Sequence, residues 1–147
     1  MLKETQQKTT YFSSWRAKTM EKEISSNDIT KIANDLVDLY INEGIWKDTR
    51  MYFLGSAYST EPIGSKSVET FVRTTKSGNI GRVYVTKNIS IGDSIWYGNI
   101  LRICSGIVDF TDLLTNEGLF EKMNGLVKKY GLFFDISDSW NVALFFI

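Results

Sequence analysis

The sequence predicts an α+β fold: a mostly antiparallel β-sheet of about six to seven strands, packed by two main helices at about residues 27–43 and 117–130, with a possible short N-terminal helix. Three observations carry that expectation. Two stretches place apolar residues at helical spacing between recognisable start and stop residues. Between them lie short alternating segments punctuated by Gly, Asn and Asp. The last stretch, Trp140–Ile147, contains one polar residue, Asn141. As a strand it shows Val142, Leu144 and Phe146 to one side and Ala143, Phe145 and Ile147 to the other. Both sets are apolar, so the strand belongs in the sheet interior with both faces covered. It is too short for a membrane span, which needs about 20 apolar residues.

Taken in order, residues 1–10 are polar and expected to fray, leaving a single domain over 11–147. Tyr11, Phe12, Trp15 and Met20 give partial helical spacing over 11–23. The cluster Ser25-Ser26-Asn27-Asp28 supplies N-cap residues, and Ile29, Ile32, Ala33, Leu36, Val37, Tyr40 and Ile41 follow at near-helical spacing. Gly44 stands where a glycine ends a helix.

Residues 50–58 are expected to form one strand, and 59–66, with the only proline, Pro62, a loop. Strands at 67–75 and 80–87 flank Lys76-Ser77-Gly78-Asn79, a hairpin signal. A two-residue loop at Gly78-Asn79 pairs Val72 with Val85, and one at Ser77-Gly78 pairs Val72 with Val83 but sets Arg73 against Arg82. Either places Val68, Val72, Val83 and Val85 on the inner face and Phe71, Arg73, Arg82 and Tyr84 on the outer one. Further strands are expected at 94–97 and 100–104 around Gly98-Asn99. Asp109 or Thr111 suits a short turn holding Phe110, Leu113 and Leu114. Asn116 suits the cap of the second helix, whose stripe is Leu119, Phe120, Met123, Leu126, Val127 and Tyr130, closed by Gly131. A final hairpin joins 132–136 to the terminal run through Ser137-Asp138-Ser139.

The composition narrows the chemistry. There is no histidine, which removes Ser-His-Asp and Cys-His catalysis in their usual forms and leaves a zinc site without nitrogen ligands. Acid–base work would fall to Asp, Glu, Lys or Tyr, and a metal would be a hard cation on carboxylates. The lone cysteine, Cys104, has no internal disulfide partner, and residues 1–22 lack the apolar core of a secretory signal; both fit a reducing, cytoplasmic setting. The expected place for Cys104 is a small buried position on a strand. Gly55–Ser67 resembles a phosphate-binding loop only superficially, because Gly64 comes too late and Ser65 separates it from Lys66. Asp109, Asp112, Glu117, Glu121 and Asp138 are explained by helix starts and turns, and Asp135 adds no regular ligand spacing. Tyr58, Ser59, Thr60 and Glu61 are more simply a turn before Pro62 than a catalytic set. No cofactor is implied.

Net charge is zero, with 17 basic and 17 acidic residues, which argues against a protein devoted to non-specific nucleic-acid binding. The charge is nonetheless segregated. Residues 50–104 carry seven basic and three acidic groups, interleaved with aromatic residues. Phe71, Arg73, Arg82, Tyr84 and Trp96 are therefore the candidate binding surface. The expected function is that of a small intracellular, non-enzymatic accessory or inhibitor protein that docks on a protein or nucleoprotein partner. A short chain rich in Ile, Lys and Asn suits a phage or other mobile element, for example as an inhibitor of a host defence system acting in the host cytoplasm. The alternatives are a histidine-free enzyme using carboxylates and a divalent metal, of nuclease or transferase type, and a structural subunit of a larger assembly. No membrane partner is expected, nucleic acid would bind only through the local basic face, and a homo-oligomer is compatible with the apolar terminal strand.

Overall fold

A computed structural model of the chain describes residues 24–53, 55–64, 68–89, 101–106, 108–112 and 118–147. The expected helix over 11–23, the strand at 94–97, Trp96, the loop residues 65–67 and the cap at Asn116 lie outside these residues.

Helix α1 spans Ser26–Asn42. Ser25 is its N-cap, its side-chain oxygen accepting from the Asp28 amide at 3.1 Å. Gly44, at φ +73°, ends it: the Gly44 amide donates to Ile41 O and the Ile45 amide to Tyr40 O, the paired bonds that close a helix on a left-handed residue. Ile32, Ala33, Leu36, Val37, Tyr40 and Ile41 form its buried stripe. Burying a Leu or Ile this fully contributes roughly 1.5–3 kcal/mol, so the stripe rather than helix propensity holds α1 in place.

Among the described residues seven antiparallel strands follow: β1 (Thr49–Phe53), β2 (Ser56–Ser59), β3 (Val68–Thr74), β4 (Ile80–Lys87), β5 (Leu101–Ser105), β6 (Leu132–Asp138) and β7 (Asn141–Phe146). They make one sheet in the order β3-β4-β2-β1-β5-β7-β6. Helix α2 (Leu119–Val127) and a 3-10 turn (Lys128–Tyr130) precede β6. The expected second helix is thus divided, and Gly131, at φ +75°, closes it.

Both helices share one core with one face of the sheet. Met51, Phe53, Val83, Val85, Leu101, Ile103, Leu132, Phe134, Val142 and Leu144 meet the buried residues of α1 and α2 there. β7 lies between β5 and β6, so the terminal run is an interior strand, with Val142, Ala143 and Leu144 each at or below 1% exposure.

Two expectations about the strands are corrected. Residues 50–58 are a hairpin and not one strand: Phe53 pairs with Ser56, and Gly55 turns the chain at φ +82°. The β3–β4 register also differs from both expected forms. Val72 faces Arg82 and Phe71 faces Val83, because the loop holds three residues, Lys76-Ser77-Gly78. Thr75 N–H donates to Asn79 O, Gly78 N–H donates to Thr75 O, and Gly78 sits at φ +91°, a turn followed by a one-residue bulge. One residue changes the parity, and parity decides the face. Phe71 and Arg73 therefore lie on the helix face with Val83 and Val85, while Val68 and Val72 lie on the opposite face with Arg82 and Tyr84.

Candidate functional site

The face turned away from the helices is the one with surface chemistry. Following the register across it, the side chains are Val68, Val72, Arg82, Tyr84, Thr86, Ala57, Ser59, Arg50, Tyr52, Arg102, Cys104, Asn141, Ala143, Phe145, Phe133 and Asp135. Its centre is buried: Ala57, Ser59 and Thr86 are at 0% exposure, Ala143 at 1% and Tyr52 at 8%. Its margins are exposed.

A polar chain crosses the β1, β5 and β7 part of this face. Arg50 Nη1 donates to the Tyr52 hydroxyl at 3.3 Å, and the Arg102 guanidinium lies 4.6 Å from the centre of the Tyr52 ring. Arg102 Nη1 donates to Cys104 Sγ at 2.9 Å, the thiol donates to Asn141 Oδ1 at 2.7 Å, and Asn141 Nδ2 donates to Asp138 Oδ1 at 2.8 Å. Burial pushes the Cys104 thiol above its ordinary range by more than Arg102 and Arg50 pull it down. That direction favours the thiol form, in which the sulfur gives one hydrogen bond and receives another. Cys104 is half-buried within this chain and away from the helix-side core, which corrects the expectation of a plain apolar position. The Asn141 side chain and the Trp140 amide hold the Asp138 carboxyl below the usual carboxylate range.

The β3–β4 margin differs. Val68 is 37% exposed, Val72 55% and Ile80 67%; Arg82 is exposed beside them and Tyr84 is half-buried. Exposed Thr70 and Thr74 stand among them, and arginine and tyrosine are residues enriched where proteins meet.

The expected five-residue surface is thus divided. Arg82 and Tyr84 share the margin. Arg73 points to the helices, where its Nε and Nη2 meet the Asp38 carboxylate at 2.7 and 3.0 Å. Phe71 packs against the core. Both serve to fasten the β3 side of the sheet to α1. Thr75 and Ser77 continue that seam, each donating to Asn42 Oδ1 at 2.6 Å, and the Trp46 indole donates to Arg82 O at 2.8 Å. Sequence reasoning missed Val72 and Ile80 as surface residues because they carry the strand pattern; the Gly78 turn was the signal that could have shifted the register.

Two open depressions accompany these surfaces. One, of about 470 Å³, runs between α1 and α2 past Asp35, Asp38 and Lys122. The other, of about 490 Å³, lies beside Trp46, Ile80 and Arg82. Among the described residues, no group of three or more Cys, Asp or Glu stands close enough to hold a metal ion, and no helix is long and apolar enough to cross a membrane. Comparison with protein-family models, with curated proteins and with solved structures finds no match to this chain.

Proposed function

We propose that this chain is a non-enzymatic accessory protein that works by docking on another protein, and that the β3–β4 margin is its contact surface. The observation that carries the reading is the cluster of exposed Val72 and Ile80 around exposed Arg82 and half-buried Tyr84. Apolar side chains supply burial, and Arg and Tyr supply anchors with directional bonds. Arg82 is the charged side chain among these residues, so the partner surface that fits them offers a carboxylate among apolar side chains. A role as an inhibitor in a phage or mobile-element setting is a further part of the proposal and rests on composition alone.

The test is affinity capture from the native host with wild-type chain, Arg82→Glu and a control on the exposed helix surface, Lys31→Glu. One dominant protein retained by wild type and the control but lost by Arg82→Glu supports the reading. Recovery of nucleic acid in place of protein, or equal capture by Arg82→Glu, overturns it. So does a thermal shift with Mg²⁺, Mn²⁺ or nucleotides alone that acidic-residue substitutions abolish, because that result belongs to an enzyme.

A further inference from the structure

The two outer strands of the sheet end in different ways. At β6, the Phe134 amide donates outward to Asn124 Oδ1 of α2 at 2.7 Å, and the pairing with β7 is interrupted between Ile136 and Asp138. A capped amide and a bulge are the devices that stop a sheet edge from recruiting another strand. At β3, Thr75 N–H bonds to Asn79 O, and in an antiparallel pair the bonded positions alternate. The amides and carbonyls of Val68, Thr70, Val72 and Thr74 therefore point away from β4. Among the described residues none pairs with them, and all four residues are exposed.

We infer that the β3 edge pairs antiparallel with β3 of a second copy of this chain, about a two-fold axis through Phe71. Of the two-fold registers, this one matches all seven residues of Val68–Thr74 with no overhang. The outward backbone groups coincide, Thr70 with Val72 of the second copy and Val68 with Thr74 of the second copy, so each bonded position meets a bonded position. On the helix face Glu69 stands opposite Arg73 of the second copy, twice by symmetry. Within each copy Glu69 already contacts Lys87 at 2.7 Å and Arg73 contacts Asp38 at 2.7 Å. Pairing thus builds two rows of alternating charge, Lys87–Glu69 followed by Arg73–Asp38 of the second copy. Such rows select register and partner more than they add affinity. The two half-buried Phe71 rings come together at the axis. Because β6 is capped, growth stops at two copies and does not run on as a fibre. This inference rests on the edge backbone and its charges, independently of what the neighbouring face binds.

The experiment is light scattering on size-fractionated protein across a concentration series. Wild type should show twice the chain mass at high concentration. Thr70→Pro removes only an outward N–H, which an edge position tolerates, and should give the single-chain mass with an unchanged circular dichroism spectrum. Val72→Lys, with a charge on the edge, should do the same and serves if Thr70→Pro fails to fold. Glu69→Lys and Arg73→Glu should each be monomeric alone, since each sets like charges opposite one another. Mixed, the two variants should pair, because every cross-copy contact is again between opposite charges: the introduced lysine faces the introduced glutamate, and the native Arg73 of one copy faces the native Glu69 of the other. Arg82→Glu should leave the dimer intact, which separates this inference from partner docking. A wild type that stays at single-chain mass throughout overturns the inference, as does a dimer that survives both Thr70→Pro and Val72→Lys.

Discussion

On the helix-covered face, Met51, Val83, Ile103, Val142 and Leu144 are each at or below 1% exposure and pack into one apolar core. One residue along the same strands, the opposite face presents Arg50, Arg82, Arg102, Asn141 and Ala143. β1 alone shows the contrast: Met51 and Phe53 point into the core, while Arg50 reaches the Tyr52 hydroxyl on the other side. The difference teaches a division of labour. The apolar core is concentrated on the helix face, and the β3–β4 margin of the other face carries arginine, tyrosine and exposed aliphatic side chains at little cost to folding.

The largest effect that tests this division is removal of Leu144–Ile147. Leu144 pairs with Leu101 on one side and Phe134 on the other, and the truncation removes three of the six β6–β7 pairs together with a buried core side chain. The truncated chain should show no cooperative thermal unfolding; a soluble, cooperatively folded product would show that β7 is peripheral. Next, Leu36→Ala at the centre of α1 should lower stability in urea unfolding by about 2–5 kcal/mol. Val72→Ala on the margin, at 55% exposure, should stay within about 0.5 kcal/mol. Similar costs at the two sites would break the comparison. Gly81→Ala should fall between them. A Cβ there comes within 2.7 Å of the Ile41 side chain and 3.0 Å of Trp46, so these two side chains must give way at a cost of about 1–3 kcal/mol.

A smaller effect is visible only in alkali. Tyr40 is fully buried and its hydroxyl donates to Met123 Sδ at 3.7 Å, and burial pushes its pKa far above the ordinary tyrosine range. The folded chain therefore keeps the phenol protonated where the unfolded chain, near pH 10, begins to ionise it. Its contribution is fully present below about pH 10 and declines as pH rises beyond it, by at most about 1.4 kcal/mol per pH unit. Urea unfolding between pH 8 and 11 should show a steeper alkaline decline in wild type than in Tyr40→Phe. Parallel curves would mean that Tyr40 is reached by solvent.

How much of this was legible in the sequence depended on how local each cause is. Ser25, the α1 stripe and Gly44 lie within one helix, and the helix formed within one residue of the expected bounds. The two-sided apolar run identified β7 as interior for the same reason. The β3–β4 faces were not legible, because a two-residue and a three-residue loop are both compatible with Lys76-Ser77-Gly78-Asn79, and the difference inverts every side chain. The Arg73–Asp38 pair and the chain through Cys104 join residues 35 and 37 positions apart, and no local pattern announces such meetings. Gly81 did leave a signal, since glycine inside a strand marks close approach of another element.

A last prediction concerns Cys104, where the two faces should differ in kind as well as size. Its thiol gives one hydrogen bond to Asn141 and receives one from Arg102. Cys104→Ala removes both from a part-buried chain, and the cost should be about 0.5–1.5 kcal/mol, below that of Leu36→Ala. The same geometry governs reactivity. With burial raising the thiol above its ordinary range, modification by iodoacetamide should be slow at pH 7 and accelerate only above the pH at which a free cysteine does. Arg102→Gln withdraws a positive charge that favours the thiolate, and should slow modification further at each pH. Rapid labelling of wild type at pH 7 that Arg102→Gln abolishes would instead mark Cys104 as an activated thiolate, and the face away from the helices would then have to be read as a reactive site as well as a docking surface.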